Sequence, residues 1–253
     1  MEHLHGGLGE LLDRAIEFTE LKDVDRTGWV LRGVDDPESV ADHSWGTAQL
    51  CLLFAAYATF DPDLAEIDPH RAVSMALVHD LAEVEVGDIP RRMAPPEARF
   101  GQSQADQSEA GQSEAGQSET RATAENPTKT ELESAAIMRL TATDGVSDDS
   151  AATVSLHMVH DLWREYESAT SASARFVRDM NLIDMTLQAF LYERDGRYEE
   201  NGSAEAFPDY PRMDEFFETS RSRFSTRLGK QLHGMVERRY RAAVKENQGN
   251  VTI

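Results

Sequence analysis

His79 and Asp80 stand side by side near the end of an apolar stretch, and Glu83 follows one helical turn later. On a helix, His79 and Glu83 form an i,i+4 pair and Asp80 and Glu83 an i,i+3 pair, so all three face one cavity. An apolar helix has little structural reason to gather three such groups, because burying unpaired charge is costly and a bound metal repays it. Imidazole nitrogen with carboxylate oxygen suits Mn, Fe, Co, Ni or Zn better than it suits magnesium, which takes an all-oxygen site. His43, where a polar loop meets a second apolar helix, is a further candidate. Spacing alone leaves the plainer alternative open: a helix-end histidine with two solvated acids, and a core histidine elsewhere. Asp88, between Gly87 and Ile89, reads equally as a turn residue and as a site acid.

The elements that must position these groups read as helices. Apolar residues at helical spacing predict an amphipathic helix over 8–21, followed by a polar loop over 22–42 that contains Gly28 and Gly33. A buried helix then runs from Ser39 or Asp42 to the Asp61-Pro62 step, with Trp45, Ala48, Leu52, Ala55 and Ala56 inside it. The next opens at Asp68-Pro69 and stops at Gly87, carrying His79. Helical patterns recur over 131–140, 154–167 and 170–194, and twice within 213–245 with a break at 219–226. No segment reads as a strand. The expected architecture is all-α: a single helical domain over 8–245, with flexible tails at 1–7 and 246–253. Residues 101–120 repeat a polar five-residue unit, GQSEA or close to it, with no apolar side chain larger than alanine. Nothing there offsets the cost of ordering the backbone, so 97–127 is expected to be a disordered insertion.

The 253 residues carry 46 acidic and 25 basic side chains, a formal net charge of -21 that would repel a nucleic-acid duplex. With 40% hydrophobic residues the charge must coat a folded core. Lysine occurs only at 22, 129, 230 and 245, an arginine bias that with the acid excess suggests adaptation to a salty cytoplasm. At molar salt the Debye length is roughly 3 Å, enough to screen the self-repulsion. Cys51 is the only cysteine, which excludes an internal disulfide and fits a reducing compartment. The start has no leader pattern and the longest apolar run, 50–60, is too short to span a bilayer, so a cytoplasmic location without membrane contact is expected.

The pattern of a lone histidine, an HD doublet and a further acid on a late helix resembles the HD-domain metal-dependent phosphohydrolases. RTGWV, PESVADHSW, ALVHDLAEVEVGDIP, WREYE and ARFVRDMNLIDMTLQAF are similar, in order, to blocks of the 5'-deoxynucleotidase branch of that family, over about residues 8 to 195. The resemblance implies an HD-domain helical bundle in which His43, His79 and Asp80 ligate one divalent transition metal (Mn, Co, Ni, Fe or Zn). The family's fourth ligand, an Asp, falls here on Asn181, which offers an uncharged amide oxygen. Asp179 is the alternative ligand, and Asp184, one turn on, would reach the site directly or through water. Glu83 and Asp88 take catalytic roles by the same resemblance. Arg26, in RTGW, would bind the phosphate dianion with its fork of donors. Trp29 would pack over the substrate region, or else belong to the core; Ser44 would contact phosphate or ribose, or cap its helix. Glu165, Tyr166 and Glu167 read as structural, and His157 and His160 as outside the ligand set. The implied reaction is hydrolysis of a deoxyribonucleoside 5'-monophosphate, by a homodimer. Another nucleotide or phosphomonoester substrate, or a non-catalytic nucleotide sensor, are the alternatives.

Overall fold

Most helices begin where the sequence supplies a cap. Ser39 and Thr128 each form a capping box, with Asp42 and Glu131 respectively, and Asp68, Ser150 and Ser171 accept from first-turn amides. The computed structural model describes residues 2–90, 127–143, 150–198 and 209–250. Its helices are α1 (Glu2–Thr19), α2 (Thr27–Leu31), α3 (Val40–Ala58), α4 (Pro69–Val78), α5 (Glu83–Val86), α6 (Lys129–Leu140), α7 (Ala151–Ser168), α8 (Ala172–Asp195), α9 (Asp214–Arg221) and α10 (Arg227–Asn250). Short 3-10 turns lie at Glu20–Asp23 and Pro62–Leu64. No strand occurs among the described residues, only isolated bridges joining Asp25 to Ser39 and Val34 to Tyr198. The expected all-α fold is what is found. The expected insertion falls largely on residues 91–126, which lie outside those described.

α8 is the central element, packed against α3, α4 and α10. Cys51, Met75, Phe176, Val177, Met180 and Ile183 fill the core between them. A second cluster gathers Trp29, Tyr192, Phe217 and Tyr240, and a third sets Leu81 and Ile137 against Trp163, which fastens α6 beside α5.

Four expectations about the elements change. The helix expected over 8–21 starts at Glu2, and the 22–42 loop contains α2 and a 3-10 turn. The helix expected from 69 to 87 is interrupted: α4 ends at Val78, and the chain continues through tighter turns in which Leu81 N bonds Val78 O and Glu83 N bonds Asp80 O. A local cause is visible, since the His79 Nδ1 atom takes the Ala76 carbonyl at 2.7 Å, an oxygen an α-helix would give to the amide of residue 80. α3 is buried on one side only. Ala48 and Ala55 are core, whereas Trp45 and Leu52 are 63% and 67% exposed and Ala56 is exposed too. Among the described residues no helix is long and apolar enough to cross a membrane.

Candidate metal and phosphate site

α3 and the turn after α4 bring His43, His79 and Asp80 together, and α8 sets Asp184 behind His43. One ligand atom from each lies within 4.8 Å of the others. Asp80 Oδ2 is 3.3 Å from His79 Nε2 and 3.7 Å from His43 Nε2, and the two imidazole rings are 5.3 Å apart. Each ring is held from behind. His79 Nδ1 bonds the Ala76 carbonyl, and His43 Nδ1 meets Asp184 Oδ2 at 2.7 Å. Those bonds assign the ring protons to Nδ1 and turn both Nε2 lone pairs inward. Both Nε2 atoms are buried without a hydrogen-bond partner. Two such nitrogens facing a carboxylate fit a divalent transition ion, because an apolar or merely structural site would leave them unsatisfied.

The electrostatics of His43 and Asp80 agree with that donor set; at His79 burial lowers the pKa but Asp80 and the Ala76 carbonyl more than reverse it, so a proton competes there with a metal. Burial, helped by Arg26, holds His43 down at about 3, so it is a neutral imidazole. Burial alone would raise Asp80, but His79, Arg26 and His43 hold it well below the ordinary carboxylate range. Burial pushes Asp184 up to about 7, and above that pH it is ionised and accepts from His43. Asp184 reaches this place because residue 46 is glycine: a Cβ on Gly46 would overlap its carboxylate.

Glu83 is 1% exposed. Its Oε1 is 3.2 Å from Lys129 Nζ, and its Oε2 is buried with no hydrogen-bond partner, 3.8 Å from Arg26 Nη1. Burial, with Asp80 and Asp88 adding to it, pushes this carboxyl well above its usual value, against Lys129 and Arg26. Arg26 stands among three acids, its Nη1 3.2 Å from Asp80 Oδ2 and 3.7 Å from Asp88 Oδ1. Burial lowers the guanidinium's pKa, and Asp88, Asp80 and Glu83 more than reverse it. Asp88 Oδ2 accepts the Thr27 amide at 2.8 Å and its carbonyl accepts the Thr27 hydroxyl at 2.6 Å, tying the start of α2, and so Arg26, to the chain after α5.

Several expected site residues are elsewhere or otherwise employed. Asp179 is not at the cluster: its two oxygens accept the amides and hydroxyls of Ser225 and Thr226 at the start of α10. Trp29 is 2% exposed and belongs to the core, 4.2 Å from the Phe216 ring and donating Nε1 to Glu38. Ser44 does not cap α3, since Ser39 does, and adjacent helix positions diverge by 100°. It lines a separate apolar groove with Phe18, Leu21, Trp45 and Leu77. Asn181 lies beside the site, its Nδ2 donating to Tyr166 Oη at 2.7 Å while the Tyr166 ring sits 5.0 Å from His79. Glu165 bridges Arg71 and Ser171, the structural role expected of its block.

Lys129 and Glu38 were not singled out by sequence. Glu38, Asp184 and His43 form a second acidic group around the same imidazole. Lys129 had one signal available, being one of four lysines in a chain whose cations are otherwise arginine.

A helical bundle that turns two buried imidazole nitrogens and a carboxylate onto one point is a helical domain of the metal-binding class. Residues 18–210 match the model of the HD domain family, and the chain belongs to that family. It is 30% identical over 213 residues to 5'-deoxynucleotidase HDDC2 of Dictyostelium discoideum, spanning 84% of this chain and 89% of that protein. The Xenopus laevis protein of the same name is 34% identical over 177 residues, 69% of this chain and 65% of its own length. Among solved structures, the PH0347 protein from Pyrococcus horikoshii OT3 superposes with a TM-score of 0.56 at 26% identity, covering 91% of this chain and 98% of that one. A predicted metal-dependent phosphohydrolase from Magnetospirillum magnetotacticum has the same fold, with a TM-score of 0.52 at 21% identity over 95% of this chain and 94% of that one.

Proposed function

We propose that this protein is a 5'-deoxynucleotidase, hydrolysing deoxyribonucleoside 5'-monophosphates to deoxyribonucleoside and phosphate. The observation that carries the chemistry is the pair of buried, unpartnered Nε2 atoms facing Asp80, beside the unpartnered Oε2 of Glu83. The substrate class rests on the HDDC2 relatives, which carry that activity in their names. His43, His79 and Asp80 would hold one divalent transition ion, with the Asn181 amide oxygen as fourth ligand. Such an ion supplies Lewis acidity toward phosphate and water. Arg26 binds the phosphate oxygens, its charge kept by the acids around it. Glu83 Oε2 receives the proton of the attacking water, a role that suits a carboxyl whose proton affinity burial raises. Asp88 holds Arg26 through Oδ1 and α2 through Oδ2, and so keeps the phosphate in line with the water.

The test is phosphate release from deoxy- and ribonucleoside monophosphates by metal-stripped protein resupplied with Mn, Co, Ni, Zn or Mg, in dilute and molar salt. Turnover selective for deoxynucleotides with a transition ion, and higher in molar salt, is the expected result. Absence of turnover with every ion, from folded protein, ends the nucleotidase reading, and equal rates in both salts end the salt-adaptation reading.

We further infer a single domain over 8–245 with 97–127 as an insertion, a cytoplasmic setting supported by the single cysteine, which leaves no internal disulfide, and a homodimer. Support for the dimer is the stripe of Trp45, Leu52, Leu53, Tyr57 and Phe60 exposed along and just beyond α3, an apolar face on a chain of charge -21. Sedimentation at molar salt should give twice the chain mass; a monomer would remove this part.

A further inference from the structure

We infer that Lys129 is a positioning residue for Glu83, fixing which carboxylate oxygen is free to act. The inference rests on the hydrolase reading above and adds a residue to it. Lys129 Nζ lies 3.2 Å from Glu83 Oε1, 2.9 Å from the Ile89 carbonyl and 3.2 Å from Glu133 Oε1. An ammonium has three N–H donors and no acceptor, so these three partners exhaust it. That decides between the two roles open to a cation beside a phosphate site. Lys129 has no donor left for a substrate oxygen, whereas Arg26 has a fork of them.

The terminal torsion of a glutamate is soft, and its two oxygens exchange readily unless something distinguishes them. Here Oε1 is bound to Lys129, whereas Oε2 has no hydrogen bond and only the longer ion pair with Arg26 at 3.8 Å. Lys129 is itself fixed. It opens α6 directly after the Thr128 capping box, Glu133 grips it from the next turn, and Ile137 and Leu140 anchor the helix in the cluster that contains Leu81 and Trp163. The groups facing Glu83 are the acids Asp80 and Asp88 and the cations Arg26 and Lys129. Once Arg26 engages phosphate, Lys129 is the cation that still holds the carboxylate in place.

K129M is expected to lower kcat by about 10- to 100-fold, the scale of a misplaced catalytic group, while KM moves by less than about twofold. Alkylating K129C with 2-bromoethylamine returns an ammonium of nearly the same reach and should restore most of kcat. The native thiol does not interfere, because Cys51 is fully buried and burial raises its pKa further. An unchanged kcat in K129M, or a loss that alkylation does not repair, overturns the inference while leaving the nucleotidase reading intact. A second readout needs no activity. With only four lysines, the ammonium nitrogen-15 spectrum of the whole protein is assignable by K129M, and the Lys129 signal should exchange with water more slowly than the other three. E83Q should speed that exchange. If Lys129 exchanges like the others, the contact is absent and the inference falls, whether or not the enzyme turns over.

Discussion

His79→Ala is expected to leave a folded protein that retains no stoichiometric transition ion and releases phosphate at least about 10³-fold more slowly, roughly 4 kcal/mol of barrier. The loss follows from the geometry. His79 contributes one of the two unpartnered imidazole nitrogens that face Asp80, and His43 with Asp80 leaves too few donors to hold an ion selectively. Gly46→Ala provides the graded comparison, since it leaves every ligand in place but drives a methyl group into the Asp184 carboxylate behind His43. Loss of such outer support typically weakens metal affinity by about 10- to 100-fold. Elemental analysis and competitive chelator titration of the two variants should therefore separate absence of the ion from weakened binding. A His79→Ala protein that keeps one ion per chain at unchanged affinity would move the metal to the neighbouring group of Glu38, His43 and Asp184.

The second large effect is on stability. Asp179→Ala should lower the free energy of unfolding by about 2–4 kcal/mol, because it strands the buried amide and hydroxyl of Thr226 at the start of α10 and removes the partner of the Ser225 amide. Ser225 and Thr226 both lose a carboxylate partner, and α10 is docked along α8 at that end. Gly229 is part of the same device, as a Cβ there would overlap the Asp179 carboxylate. Urea unfolding measures the loss, and metal content per folded chain should stay that of the parent protein. If stability holds and the metal disappears instead, Asp179 is a ligand and its placement at α10 is wrong.

The contrast between these two residues marks what a sequence can reveal. His79, Asp80 and Glu83 lie within five positions, so their convergence is a local property of any helical turn, and they are legible even though that turn departs from a regular α-helix. The caps at Ser39, Asp68 and Thr128 are equally local and place three helix starts. Asp179 finds its partners 46 and 47 residues downstream, and Lys129 finds Glu83 46 residues upstream, so no spacing rule connects them. Trp29 looks like a binding aromatic until Phe216 and Tyr192 close over it. In α3 the apolar residues surround the helix, and nothing in their order says which side a neighbour will cover; Trp45 and Leu52 are exposed for that reason.

The bond from Lys129 to the Ile89 carbonyl bears on the history of the chain as well as on its chemistry. It joins two residues 40 positions apart in sequence, at the two edges of the described fold. Closing a chain between fixed ends grows harder only with the logarithm of its length, about 0.6 kcal/mol for each doubling. With Ile89 and Lys129 already joined, a change in the number of GQSEA copies between them is expected to alter the stability of the described fold by little, whereas the same insertion within α3 or α8 would part His43 from Asp184. The junction is thus a natural port for evolutionary drift in length, or for grafting a second domain by design, within a few ångströms of the buried Glu83 carboxylate.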